Sequence, residues 1–186
     1  MIQSYAKEKS ANFDRNWNDY KEGFGSIEQK NFWIGLEQMH KLTASGMYGV
    51  QIDLKINDES VTTIIYDYFA VKDESDNYRL AISGFKPGTS GLPERLSYHN
   101  GRPFTTKDKD NDAHSDYNCA THFGNTGWWF GACFTVHLNH INGPTWFDSP
   151  LQPQLESKIT LIKSINEILT LDYYFNLYHL LNVYFN

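Results

Sequence analysis

A chain of 186 residues is long enough for one domain with a real core, or for one domain and an appendage. Its 40% hydrophobic fraction is ordinary, but 16% aromatic residues, with twelve Tyr, twelve Phe and five Trp, indicate a core packed with rings. A formal net charge of −6 and a pI near 5.6 exclude nucleic acid as the partner, since no basic stripe exists to neutralise phosphates.

The opening residues, Met1 to Lys9, carry charge where a secretory leader needs an apolar run, so no signal peptide is read there. Asp14 to Tyr20 predicts a short helix, with Asp14 as a capping-type residue and Trp17 and Tyr20 on one face. Gly23-Phe24-Gly25-Ser26 ends it. Asn31 to Leu42 predicts a second helix, with Phe32, Leu36, Met39 and His40 near one face and Ser45-Gly46 as its stop.

Strand signals follow. Tyr48 to Ile56 alternates apolar Val50, Ile52, Leu54 and Ile56 with polar residues, and Val61 to Val71 is rich in β-branched and aromatic side chains. Asn57 to Ser60 supplies the turn between them, and Tyr78 to Ile82 forms a third strand behind the acidic loop Asp73 to Asp76. Two short helices followed by antiparallel strands predict an α+β domain.

From Gly84 onward Gly, Pro, Asn and Asp dominate, as in a loop-rich region that carries a binding surface. Within it Asp108, Asp110 and Asp112 alternate, Asp116 follows, and Cys119 and Cys133 are the two cysteines. Carboxylates this close need water or a hard cation to screen them, and Ca²⁺ takes six to eight oxygens of this kind. A solvated acidic turn, with Lys107 and Lys109 as counter-charges, is an equal reading of the spacing. An EF-hand fits poorly, because Ala113 would stand at its glycine and Cys119 at its glutamate. If the cysteines pair, the closed loop contributes roughly 3 kcal/mol; the alternative is two reduced buried thiols.

Beyond Asp148, Leu155, Ile159, Ile162, Ile165 and Leu169 recur at helical spacing. The apolar stretch from Tyr173 to Asn186 is too short to span a bilayer and is broken by Asn176, His179 and Asn182. No catalysis is assigned. His137 and His140 stand three apart without the surroundings of a metalloprotease motif, and Ser83 and Ser90 lie in no Gly-x-Ser-x-Gly frame.

Taken in order, these pieces resemble the fibrinogen C-terminal domain family, which includes ficolins, tachylectins and tenascin ends. The matching segments include Asn12 to Trp17, Phe32-Trp33-Ile34-Gly35-Leu36, Val50 to Leu54, Tyr66 to Val71 and Leu96 to Asp108. Asp110-Asn111-Asp112, Asn118-Cys119-Ala120 and Gly127-Trp128-Trp129-Phe130 before Cys133 complete the series. The resemblance implies short helices, a central antiparallel sheet and a loop-rich calcium and ligand subdomain. It implies a Ca²⁺ site with Asp110 and Asp112 as side-chain ligands and backbone carbonyls a few residues on, which of His114, Ser115 and Asp116 supply them being left open, so that His114 and Asp116 count among the metal candidates. It also implies a Cys119–Cys133 disulfide and a cis peptide bond between Ala132 and Cys133.

The implied pocket is lined by His122, Phe123, Trp129, Phe130, Cys133 and Phe134, although core packing is the plainer reading of Trp128-Trp129. Phe134 stands where the family has His, and Phe130 where Tyr is common, so two polar handles are gone. Six residues separate Asp112 from Cys119 where the family has five. The first 147 residues are expected to form the domain, without its N-terminal subdomain and closing strand. Residues 148–186 are read as a divergent tail of helical periodicity, such as an alternative exon, an intron read-through or a gene-model error would supply, which either covers the sheet edge or promotes self-association. The expected function is a secreted, calcium-stabilised recognition module of lectin type for glycans or acetylated groups. The alternatives are a domain that binds an extracellular protein and a truncated fragment with an impaired pocket. Homo-oligomers are compatible with either.

Overall fold

The computed structural model describes residues 1–7, 12–55, 60–88, 91–147 and 155–163. Strand β1 (Gln3–Ala6) opens the chain, followed by helix α1 (Trp17–Glu22), β2 (Phe24–Ser26), β3 (Asn31–Trp33) and helix α2 (Leu36–Ala44). Then come β4 (Tyr48–Lys55), β5 (Val61–Val71), β6 (Leu80–Lys86), the one-turn helix α3 (Cys119–His122), β7 (Val136–His137), β8 (Thr145–Trp146) and β9 (Glu156–Lys163). Seven strands form one antiparallel sheet in the order β2-β3-β1-β9-β4-β5-β6, and β7 and β8 pair separately.

The expected α+β character holds. Helix α1 begins later than the capping signal at Asp14 suggests, because Asn16 is the cap. Its side chain accepts from Asp19 N–H at 2.9 Å while the Asp19 carboxylate accepts from Asn16 N–H at 3.3 Å. The second expected helix divides at Gly35, whose φ of 101° breaks the run: Asn31–Trp33 becomes β3, and α2 buries Leu36, Met39 and Thr43. The meander β4-β5-β6 follows the alternation, with Ile52 opposite Ile64 and Phe69 opposite Ile82. The turn at Asn57 to Ser60 lies largely outside the described residues, as do Ser90 and the tail positions Ile165, Leu169 and Tyr173 to Asn186.

The tail requires a correction. Its described part is a strand, not a helix, and it occupies the middle of the sheet, between β1 and β4. Ile159 pairs with Ile52 on one side and Gln3 on the other; Lys158 lies opposite Asp53 and joins it in an ion pair at 3.1 Å. Ser157, Ile159 and Leu161 share the face of Leu54, Ile52 and Val50, while Glu156, Lys158 and Thr160 point the other way. That period-two pattern, in a segment rich in β-branched residues, outweighs the helical spacing of Ile159 and Ile162. The expected missing closing strand is therefore present.

Aromatic rings fill the space between the sheet and the loop-rich half. Tyr20, Trp33 and Phe104 pack on one another at 5.2–5.8 Å, and Trp129 joins at 5.1 Å from Phe104. Buried Gln3 ties the halves together, donating through Nε2 to Ser157 Oγ at 3.0 Å and to Asn139 Oδ1 at 3.2 Å.

Candidate functional site

The acidic loop hangs from this core by hydrogen bonds that its own carboxylates accept. Asp108 receives Trp17 N–H at 2.9 Å and Thr106 Oγ1–H at 2.7 Å, fixing the loop against the start of α1, and Lys109 Nζ sits 3.8 Å over the Trp17 ring. Asp112 receives His114 N–H at 2.8 Å on one oxygen and Cys119 N–H at 2.7 Å on the other. It therefore pins both ends of the 113–118 segment. Asp110 accepts from Asp112 N–H at 3.2 Å.

Burial pushes the Asp112 carboxyl up, and so does the adjoining Asp110 carboxylate, against the pull of the two N–H donors. Two like charges held side by side, with hard oxygen donors only, suit a calcium-sized cation. The carbonyls of His114, Ser115 and Asp116 accept no backbone hydrogen bond among the described residues, which leaves them available as further oxygens. Asp110 and Asp112 would hold Ca²⁺, and the ion would supply charge neutralisation that locks the loop.

The side chains of His114 and Asp116 do not join them. His114 Nδ1 accepts from Asp116 N–H at 3.2 Å and its ring stacks on Tyr117, while Asp116 accepts from Ser115 Oγ at 2.9 Å. Among the described residues no three or more His, Cys, Asp or Glu side chains converge as a metal cluster. Of the four expected side chains, only those of Asp110 and Asp112 adjoin: the His114 ring is taken up by the Asp116 backbone N–H and by Tyr117, and the Asp116 carboxylate by Ser115.

Cys119 and Cys133 are joined, with an S–S distance of 2.03 Å, and the Ala132–Cys133 peptide is cis. Around this bridge Ala113 N–H reaches Gly131 O at 3.0 Å and Ala132 N–H reaches Tyr98 Oη at 2.8 Å. His99, fully buried, donates from Nδ1 to Trp129 O at 2.7 Å and accepts at Nε2 from Val136 N–H at 3.1 Å, so the residues on either side of the cis bond share one imidazole. Burial holds the His99 imidazole down at about 4. His137 and His140 are also held down by burial.

The expected pocket residues separate into layers. Trp129 belongs to the core: it is 2% exposed, with Nε1 donating to Tyr78 O at 2.8 Å and its ring against Trp33, so it walls no pocket. Phe130 is buried beneath Phe134. Phe134 fills the position between Phe123 at 4.9 Å, His137 at 5.1 Å and Phe147 at 5.2 Å. His122 and Phe123 lie nearer the surface, 4.8 Å apart, and Cys133 is half-buried beside them. Three residues that sequence reasoning missed complete this face: Tyr117, stacked on His122 at 4.2 Å; Phe147, 45% exposed; and Ile141, 53% exposed beside Gly124. Phe147 carried a signal, as an apolar residue in a loop. Tyr117 carried none, since its partners are set by the turn into α3. The result is a continuous row of rings from His114 to Phe147, with carboxylates at one end.

Comparison with known proteins agrees with this architecture. The family described as "Fibrinogen beta and gamma chains, C-terminal globular domain" matches residues 1–149. Rat tenascin-R is 41% identical over 142 residues, 73% of this chain and 10% of that protein. Human ficolin-3 is 38% identical over 139 residues, 75% of this chain and 45% of that protein. The chain thus spans under half of the curated relatives it matches. Among solved structures, the fibrinogen-like globe domain of human ANGPTL2 superposes with a TM-score of 0.78 at 29% identity, covering 88% of this chain and 79% of that one. A lamprey fibrin D-dimer complexed with the peptide Gly-His-Arg-Pro-amide gives 0.78 at 26% identity, covering 88% and 61%. By sequence and by fold, this chain belongs to the fibrinogen C-terminal globular domain family.

Proposed function

We infer that this domain is a calcium-stabilised extracellular recognition module that binds a protein or peptide across the row of rings beside the acidic loop. The observation that carries this reading is Phe134. It stands where the resemblance expects a histidine and, 9% exposed, packs beneath half-buried Phe123 and exposed Phe147, so the face has an apolar floor in place of a polar handle. Half-exposed Phe147 and Ile141 widen it into a face that suits apolar side chains, while the acidic loop favours a partner with basic residues. The peptide bound by the lamprey fibrin fragment is a precedent in the same fold.

Titration of Ca²⁺ into wild type and the Asp110→Ala, Asp112→Ala double variant tests the metal. Uptake by wild type and its loss in the variant are expected. Pull-down from extracellular fluid, with Phe147→Asp as the probe of the face, tests the partner; capture that the substitution leaves unchanged refutes the face. The second reading is binding of acetylated glycans, favoured by the aromatic setting of Phe123 and Phe134 and by the likeness to ficolin-3. Acetyl-sugar signals on a glycan array that EDTA abolishes would move the assignment there.

A further inference from the structure

Between Asp112 and Cys119 the loop is one residue longer than the resemblance leads one to expect, and a longer loop has more conformations to lose before it can grip an ion. Its ends are secured. Asp112 accepts from His114 N–H and Cys119 N–H, and Asn118 donates to Thr106 O at 2.9 Å while its Oδ1 accepts Thr121 N–H at 3.2 Å at the start of α3. Its crown, Ser115 to Tyr117, has no such anchor to the rest of the domain among the described contacts.

What holds the crown is a sandwich of three rings. Tyr117 lies 3.8 Å from the His114 ring at 28° and 4.2 Å from the His122 ring at 22°, both stacked. His122 stands on α3, whose first residue is Cys119 of the disulfide, and it meets Phe123 at 4.8 Å. The Tyr117 side chain therefore ties the start of the crown to the rigid disulfide-bearing turn. Tyr117 is 38% exposed, so it fills no core cavity, and its contacts are spent on the two imidazoles.

We propose that Tyr117 is the positioning residue of the calcium site: clamped between His114 and His122, it keeps the carbonyls of residues 114–116 aimed at the ion that Asp110 and Asp112 hold. This rests on the calcium reading above. Stacked rings of this kind favour the ordered crown in the metal-free protein, so the ion meets a loop already shaped for it rather than ordering it at binding.

The test is calorimetric titration of Ca²⁺ into wild type, Tyr117→Ala, Tyr117→Phe and, as a control distant from the loop, Tyr68→Ala, with amide hydrogen exchange of the calcium-free proteins alongside. Tyr117→Ala is expected to weaken Ca²⁺ binding about tenfold, or ~1.4 kcal/mol, and to speed exchange at residues 114–117. Tyr117→Phe retains the stack and keeps wild-type affinity, as does Tyr68→Ala. A Tyr117→Ala protein that binds Ca²⁺ as wild type does overturns the clamp alone and leaves the calcium reading standing. A Tyr117→Phe protein as weak as Tyr117→Ala also overturns the clamp, because the hydroxyl would then be the cause. A wild type that takes up no Ca²⁺ overturns both. Unfolding midpoints measured on each variant separate loss of the clamp from loss of the fold.

Discussion

Replacing Ile159 with alanine probes the middle of the sheet. Ile159 is 5% exposed and lies between Ile52 and Gln3, both fully buried, so truncation leaves a cavity that two hydrogen-bonded neighbours cannot collapse. Losses for buried isoleucine run from about 2 to 5 kcal/mol, and a site this enclosed should cost about 3 kcal/mol. For a chain of this size that lowers the melting temperature by roughly 6–12 °C. Ile162 is the control. It lies opposite Gly49, half-buried on the other face of the same strand, and its truncation should cost about 1 kcal/mol. Urea unfolding of both variants beside wild type measures the two losses. In a helix, residues three apart share a face and would cost alike; in a strand an odd separation places them on opposite faces. Equal losses at 159 and 162, or a loss below about 1 kcal/mol at 159, would refute the strand assignment.

Two further outcomes follow from the loop-rich half. His99 is kept neutral by burial, with a folded pKa of about 4 against an unfolded value near 6.5. Between those values the unfolded chain binds the extra proton, so stability is full above pH 6.5 and falls as pH drops toward 4, by an amount approaching 3 kcal/mol. Urea midpoints at pH 7 and pH 4.5 measure it, and a His99→Gln variant that loses stability just as steeply would refute the attribution. Gly131 has no room for a side chain: a Cβ there would meet Tyr98 Oη at 2.7 Å, the group that accepts Ala132 N–H. Gly131→Ala should cost about 2 kcal/mol, and combining it with Tyr98→Ala should cost less than the sum of the two; strict additivity in a double-mutant cycle would count against the clash.

The parts legible in the sequence are those whose signal is local. The alternation through β4 and β5 marks their faces directly, and the glycine after Glu22 marks the end of α1. The acidic loop is conspicuous in the sequence, but its spacing alone does not tell a cation site from a solvated turn, and Asp110 and Asp112 stand out there only through the family resemblance. β1 leaves no strand signal in the sequence, because four residues are too few for a period. In β9, Ile159 and Ile162 mimic a helical stripe, and only β1 and β4 on either side decide which neighbours matter. Trp129 was drawn toward the pocket by its place beside Phe130, although Tyr78 O and Trp33 hold it in the core. The Tyr117 sandwich depends on where α3 begins, a tertiary matter with no trace in spacing.

The placement of β9 also sets a timetable for synthesis. Gln3 is made 154 residues before Ser157, its hydrogen-bond partner in β9, so β1 and β4 must wait unjoined while the chain between them and β9 is synthesised. During that wait the edges of β1 and β4 are uncovered, which makes the nascent chain a natural client for chaperones that shield bare strands.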